Sequence, residues 1–268
     1  MRGLNVVVLT SASMGVELAA SLLQLEEVDS MTIVTTRVMR GRRSLWEKLR
    51  GILHHEGPVG TAQAAVGSVI RLLGGGQSLA EVVALRCPGV AHLYCDDVHD
   101  PGSLALLRQL APDLGVVFAA YRLNPEVFNI PRLGCLNLHL GHAPRFRGSS
   151  PAFYEMLEGE PTVGVTVHRV SEALDAGPIV AQESFPLDLV PEGDPLAYLR
   201  RYQAEVLIPN GVRLMAEAVQ RFARGEMDAR LAPEGGAPVR KRATYRLKRE
   251  LRRRVLRRRE RKAGLIFA

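Results

Sequence analysis

The chain opens on an apolar run with strand propensity, Asn5-Val6-Val7-Val8-Leu9, followed by the turn Ser11-Ala12-Ser13-Met14-Gly15 and a helical pattern over about residues 16–24. Residues 31–35, rich in Ile, Val and Thr, predict a second strand. Further strands are expected at 91–94, 114–118 and 135–139, with a helix over 103–110 between the first two. Between these blocks lies a basic amphipathic segment, 37–55, with Leu45, Trp46, Leu49, Ile52 and Leu53 at helical spacing; Gly74-Gly75-Gly76 breaks the helix that follows. Strands alternating with helices predict an α/β fold, a doubly wound and mainly parallel sheet with helices on both faces. Residues 195–224 read as a long helical stretch bent near Pro209-Asn210-Gly211. Glu234-Gly235-Gly236-Ala237-Pro238 reads as a linker. Beyond it, Leu247, Leu251 and Val255 recur every fourth residue, a helix with one narrow apolar stripe. No internal repeat is evident.

Composition changes this picture in two places. With 268 residues and 47% hydrophobic content the chain can bury a full core, and no run approaches the ~20 apolar residues needed to span a bilayer. The start lacks a signal-peptide cleavage pattern, so a cytoplasmic location is expected. Cys87, Cys95 and Cys135 are odd in number and without CxxC spacing, which argues against a disulfide framework or a zinc site; no metal is expected. Charge is the second place. Residues 240–262 hold fourteen Lys or Arg against Glu250 and Glu260, so this segment carries +12 and the remainder −5 of the overall +7. The basicity belongs to a tail, read here as solvated and partly disordered.

The candidate chemistry sits in mid-chain. In Asn137-Leu138-His139 the period-2 alternation puts an amide and an imidazole on one face of a strand. Pro144-Arg145-Phe146-Arg147-Gly148 follows, and Leu174-Asp175-Ala176-Gly177-Pro178 places a carboxylate 36 positions after His139. These three motifs, at this interval, resemble the folate-dependent formyltransferase family, which includes glycinamide ribonucleotide, methionyl-tRNA and amino-sugar formyltransferases. The likeness covers roughly residues 105–190, including Pro112-Asp113, Asn124-Pro125-Glu126-Val127-Phe128 and Gly164-Val165-Thr166-Val167-His168.

The resemblance implies a Rossmann-like catalytic domain over 1–205, followed by a helical extension and linker over 206–239 and the basic tail over 240–268. It implies 10-formyltetrahydrofolate as formyl donor and a primary amine as acceptor. Asn137 would offer an amide N–H to the formyl oxygen as charge develops there, and His139 a proton or hydrogen bond to the same oxygen. Asp175 would hold the imidazole or an intervening water and raise the histidine pKa. Tyr121, Arg122 and Leu123 fall where the family lines the pterin pocket, and Val170, Ser171, Glu172 and Ala173 on the loop that closes it. Ser11, Ser13, His142, Arg145 and Arg147 are candidates for substrate contact, the two arginines toward an acidic substrate or the folate tail. His168 reads as structural. One departure stands out: relatives carry Pro-Ser-Leu-Leu where this chain has Leu140-Gly141-His142-Ala143, and the smaller residues are expected to widen or loosen the loop.

The acceptor is less constrained. The turn after the first strand lacks the Ser-Asn-containing phosphate loop of the glycinamide ribonucleotide branch. An amino sugar or sugar nucleotide is favoured, with a methionyl-tRNA formyltransferase-like enzyme as runner-up, because Arg37, Arg40, Arg42, Arg43 and the tail could contact tRNA phosphates. A folate- or polyanion-binding protein without catalysis is the alternative from another class. An anionic membrane is a further candidate partner, for the tail or for the helix around Trp46.

Overall fold

The computed structural model describes residues 3–36, 44–74, 77–226 and 237–264. Arg37, Arg40, Arg42, Arg43, Gly75, Gly76 and the linker residues Glu234–Gly236 lie outside the described residues. Strands β1 (Leu4–Thr10), β2 (Val28–Thr36), β3 (Ala91–Cys95), β4 (Leu114–Val117), β5 (Cys135–His139), β6 (Thr162–Arg169) and β7 (Ile179–Pro186) form one sheet in the order β3-β2-β1-β4-β5-β6-β7. The first five run parallel; β6 and β7 are antiparallel. The helices are α1 (Ser13–Leu22), α2 (Leu45–Gly74), α3 (Leu79–Arg86), α4 (Pro101–Gln109), α5 (Pro125–Phe128), α6 (Phe153–Glu158), α7 (Pro195–Tyr202), α8 (Ile208–Ala223) and α9 (Tyr245–Lys262).

The alternation in β1 shows why both faces are covered. Val6 and Val8 enter a core shared with α1, α6, α8 and α9, whereas Val7 and Leu9 enter a second core with Leu104 and Leu107 of α4 and Val127 and Phe128 of α5. Strand β7 is absent from the sequence reading because its polar positions are half-exposed on a sheet edge, so no continuous apolar run marks it. The bend expected at 209–211 occurs earlier, as a π-helical turn over Gln203–Leu207. Pro209 has no N–H to offer the carbonyl of Glu205, and the wider turn relieves that break.

The C-terminal segment departs most from expectation. It is docked, not solvated. Residues 237–243 run as a strap along the 147–150 loop: Arg240 N–H donates to the Arg147 carbonyl at 2.8 Å and Ser149 N–H to the Arg240 carbonyl at 2.8 Å. The Tyr154 hydroxyl donates to the Lys241 carbonyl at 2.7 Å. Helix α9 follows with Leu251 and Val255 fully buried. Much of its charge is consumed internally. Arg254 and Arg258 donate to the carbonyls of Leu157 and Met156 at 3.0 and 2.8 Å, satisfying groups that the end of α6 leaves without helical partners. Lys248 pairs with Glu56 at 2.6 Å and Arg252 with Asp194 at 2.7 Å. Arg246, Arg249, Arg253 and Arg257 remain on the outer face, exposed and without an ion pair to any described residue.

Helix α2 also differs from a buried amphipathic helix. It is kinked at Gly57, and Trp46, Leu49 and Leu53 are exposed. Among the described residues no helix is long and apolar enough to cross a membrane.

Candidate active site

β5 is built as its alternation requires, and its last turn of polar residues meets a partner strand and a loop. In the β5–β6 register Asn137 lies opposite His168, and Asp175 arrives on the loop between β6 and β7, held at a φ of 46° that aspartate tolerates better than most residues. The Asn137 amide nitrogen stands 3.0 Å from His168 Nε2 and 3.3 Å from Asp175 Oδ1. His168 Nδ1 lies 2.8 Å from the Arg169 carbonyl, which accepts only; the proton therefore sits on Nδ1, and Nε2 accepts from Asn137. His139 is fixed the same way. Its Nε2 is 2.6 Å from the Phe146 carbonyl and must carry a hydrogen, which leaves Nδ1 facing Asp175 Oδ2 at 3.5 Å. Gly148 N–H donates to Asp175 Oδ2 at 2.8 Å, and Arg147 Nε donates to the Leu174 carbonyl at 2.7 Å, so the 144–148 loop and the Asp175 loop are tied together.

His139 and Asp175 are each 8% exposed, and burial sets their electrostatics. Burial pushes His139 below the ordinary histidine range, and the Asp175 carboxylate and the Phe146 carbonyl offset this only in part. Asp175 does favour the charged histidine, as expected, but burial outweighs it. Burial works to raise the Asp175 carboxyl, yet His168, His139 and the Gly148 N–H bring it below the usual carboxylate range. At neutral pH the arrangement is an imidazole with a free Nδ1 beside a carboxylate.

These groups form the floor of a cleft of about 520 Å³. Tyr121, Arg122 and Leu123 stand on one side and Val170, Ser171 and Ala173 on the other. Glu172 does not line it; its carbonyl accepts from Arg122 at 2.6 Å and joins the two walls. The Tyr121 hydroxyl is engaged by the β3–α4 loop, accepting from Val98 N–H at 2.8 Å and donating to Asp97 at 3.2 Å. Among the described residues no cluster of His, Cys, Asp or Glu has the arrangement of a metal site.

Residues 89–205 match the model of the formyl transferase family. This part of the chain is similar to a formyl transferase domain. A methionyl-tRNA formyltransferase of Chloroflexus aggregans is 37% identical over 161 residues, 59% of this chain and 50% of that protein. The chain spans about half the length of the curated relatives it matches. In fold it is similar to a sugar N-formyltransferase from a Shewanella species, with a TM-score of 0.55 at 14% identity over 89% of this chain and 76% of that one. It is also similar to glycinamide ribonucleotide transformylase 1 from Symbiobacterium toebii, with a TM-score of 0.54 at 22% identity over 86% and 95% of the two chains.

Several residues expected to contact substrate do not line the cleft. Arg145 is exposed and pairs with Glu160. Arg147 spends its guanidinium on the Leu174 and Ala237 carbonyls. His142 reaches Ser184 at 3.0 Å, at the β6–β7 edge and away from the cleft. Ser11 donates to the Ala119 carbonyl at 2.5 Å, fastening the first turn to the end of β4, and Ser13 is exposed outside the cleft. In exchange the cleft gains Met14, Ser149, Gln203 and Ile208, which no sequence motif marks, and His168, which reads from sequence as structural.

Gly141 does not loosen the loop. A Cβ there would come within 2.5 Å of His139 Nε2 and 2.9 Å of the Phe146 carbonyl, so the bare glycine is what lets the two meet. Gly141→Ser is therefore expected to break the His139–Phe146 hydrogen bond and rotate the ring. The imidazole nitrogen resonances of His139 should report a changed tautomer, and an unaltered spectrum would remove the role assigned to Gly141.

Proposed function

We propose that the chain transfers a formyl group from 10-formyltetrahydrofolate to a primary amine, using Asn137, His139 and Asp175. The observation that carries the proposal is the meeting of these three side chains on the floor of one cleft, from a strand and a loop far apart in sequence. The cleft's volume suits a small-molecule site, and its two loop walls offer backbone groups for a flat heterocycle. 10-Formyltetrahydrofolate supplies the formyl carbon as an electrophile. As the amine nitrogen bonds to the formyl carbon, His139 Nδ1 is the atom placed to take its proton and Asp175 stabilises the imidazolium that results; that proton passes to N10 of the folate as the N10–formyl bond breaks and tetrahydrofolate leaves. Asn137 has both amide hydrogens engaged in the resting site. The longer contact, to Asp175, is the one it would exchange for the oxygen on which charge develops, at a gain of about 3 kcal/mol.

The favoured acceptor is an amino sugar or sugar nucleotide. Supporting this, the described residues after β7 are helices and a strap packed on the catalytic sheet, and the cleft itself is of small-molecule size. The test is release of tetrahydrofolate across a panel of amino-sugar nucleotides and methionyl-tRNA, with folate binding measured in parallel. Folate bound without turnover on any amine would favour a binding protein; absence of folate binding would end the reading.

A methionyl-tRNA acceptor is the second reading, favoured by the curated relatives and by the outer face of α9. Arg246, Arg249, Arg253 and Arg257 repeat at three or four residues, and a four-residue step along a helix is ~6 Å. If they contact phosphates, binding of tRNA should weaken steeply with salt, and Arg253→Gln with Arg257→Gln should reduce the salt slope by about two. Affinity indifferent to salt would remove this reading.

A further inference from the structure

Adjoining the cleft at His139, Gly148 and Ser149 lies a much smaller cavity of about 10 Å³, lined also by Phe146, Ser150, Glu155 and Arg240, among others. Two of its wall residues carry buried polar atoms with no partner. Glu155, at the centre of α6 and 2% exposed, leaves Oε1 unsatisfied; Arg240, in the C-terminal strap, leaves Nε unsatisfied. One is an acceptor and the other a donor. A native core rarely tolerates either alone, because each orphan costs about 1–3 kcal/mol. The cavity has room for about one water, and a water needs at least two polar partners, which these atoms provide.

Arg240 is anchored at several other points. Its guanidinium pairs with Glu158 and lies over the rings of Tyr154 at 5.2 Å and Phe146 at 6.0 Å, while its backbone is the strap's link to Arg147 and Ser149. The Phe146 carbonyl is the group that holds His139 Nε2. The residues around the cavity thus connect the strap, α6 and the loop that orients the imidazole.

We propose that this cavity holds one ordered water bridging Arg240 Nε to Glu155 Oε1, and that Glu155 and Arg240 are positioning residues that fix the 146–150 loop against His139. The water would donate to Oε1 and accept from Nε–H. The unsolvated carboxyl of Glu155 is consistent with this: burial raises it to about 7, so near neutral pH it can meet the water in either protonation state. The consequence for turnover rests on the proposed transfer reaction; the water site and its effect on the His139 ring do not.

The test has a structural and a solution arm. A crystal structure of the full chain that resolves ordered waters should show a single peak within hydrogen-bond reach of both atoms. An empty cavity, or a direct Glu155–Arg240 contact, would overturn the site. In solution, Glu155→Gln keeps an acceptor and should preserve the water and the His139 ring resonances, whereas Glu155→Leu should displace the water and shift them. Arg240→Lys, which retains charge but loses Nε–H, should shift them as Glu155→Leu does and serves if the leucine variant fails to fold. With a working acceptor, kcat should fall ten- to a hundredfold in both disruptive variants with KM little changed. Resonances of His139 that stay fixed in folded Glu155→Leu and Arg240→Lys would overturn the positioning role. Should the natural chain show no turnover at all, the transfer reading fails while the resonances still decide this one.

Discussion

His139→Ala is expected to reduce turnover by about 10²–10⁴-fold without unfolding the protein, because it removes the one imidazole with a nitrogen free to take a proton at the floor of the cleft. Asp175→Asn should be nearly as damaging and more informative. Asparagine can still accept from Gly148 N–H, so the loop is kept, but the charge that partly offsets the burial of His139 is lost. The base works in its neutral form, so the acid limb of the kcat/KM profile follows the His139 pKa of the free protein. In the natural chain that limb should lie below the ordinary histidine range, and in Asp175→Asn it should move to still lower pH. A limb that moves upward would show that Asp175 does not raise the His139 pKa, and a natural-chain limb at or above the ordinary histidine range would show that burial does not govern it.

The second large effect concerns the tail. Leu251→Ala should destabilise the fold by about 2–5 kcal/mol, as for a fully buried leucine, and Val255→Ala somewhat less. Leu256→Ala, one residue further round the same helix and exposed, should change stability by less than about 0.5 kcal/mol. Urea denaturation of the three variants decides it. A solvated tail would leave all three alike, whereas a docked helix separates the first two from the third. Because the strap holds the 147–150 loop, a chain cut before residue 237 is also expected to lose the ordered Gly148–Asp175 contact. Such a fragment would be a poor test of folate binding.

Much of the site could be read in the sequence, and the reasons for the remainder are physical. Asn137 and His139 were legible because two-residue periodicity fixes which face a strand side chain takes, whatever the fold around it. Asp175 was legible through its motif and interval. His168 was not, because its importance comes from lying opposite Asn137 across an antiparallel pair whose register no local pattern specifies. The arginines misled for a related reason. Arg147, Arg254 and Arg258 look like ligands for an anion, yet they are taken by backbone carbonyls of loops and of the end of α6 that lie distant in sequence. In α9 the apolar stripe at 247, 251 and 255 was visible. Charge on either side outweighed it in a reading that had no partner surface to set it against.

Gly141 carries the same lesson at smaller scale. Its departure from the family loop was plain in the sequence, but whether a missing Cβ loosens a loop or admits a close contact depends on what stands opposite. Here that is the His139 ring and the Phe146 carbonyl. The consequence is a particular ring orientation, with Nδ1 turned to Asp175, on which the proposed proton transfer depends.

The most direct test of that chemistry is the rate of tetrahydrofolate release from 10-formyltetrahydrofolate, with the amine panel present, for the natural chain and for His139→Ala side by side. Turnover with at least one amine is expected in the natural chain and its loss in the variant, with folate affinity retained in both. Turnover that survives in His139→Ala would contradict that chemistry.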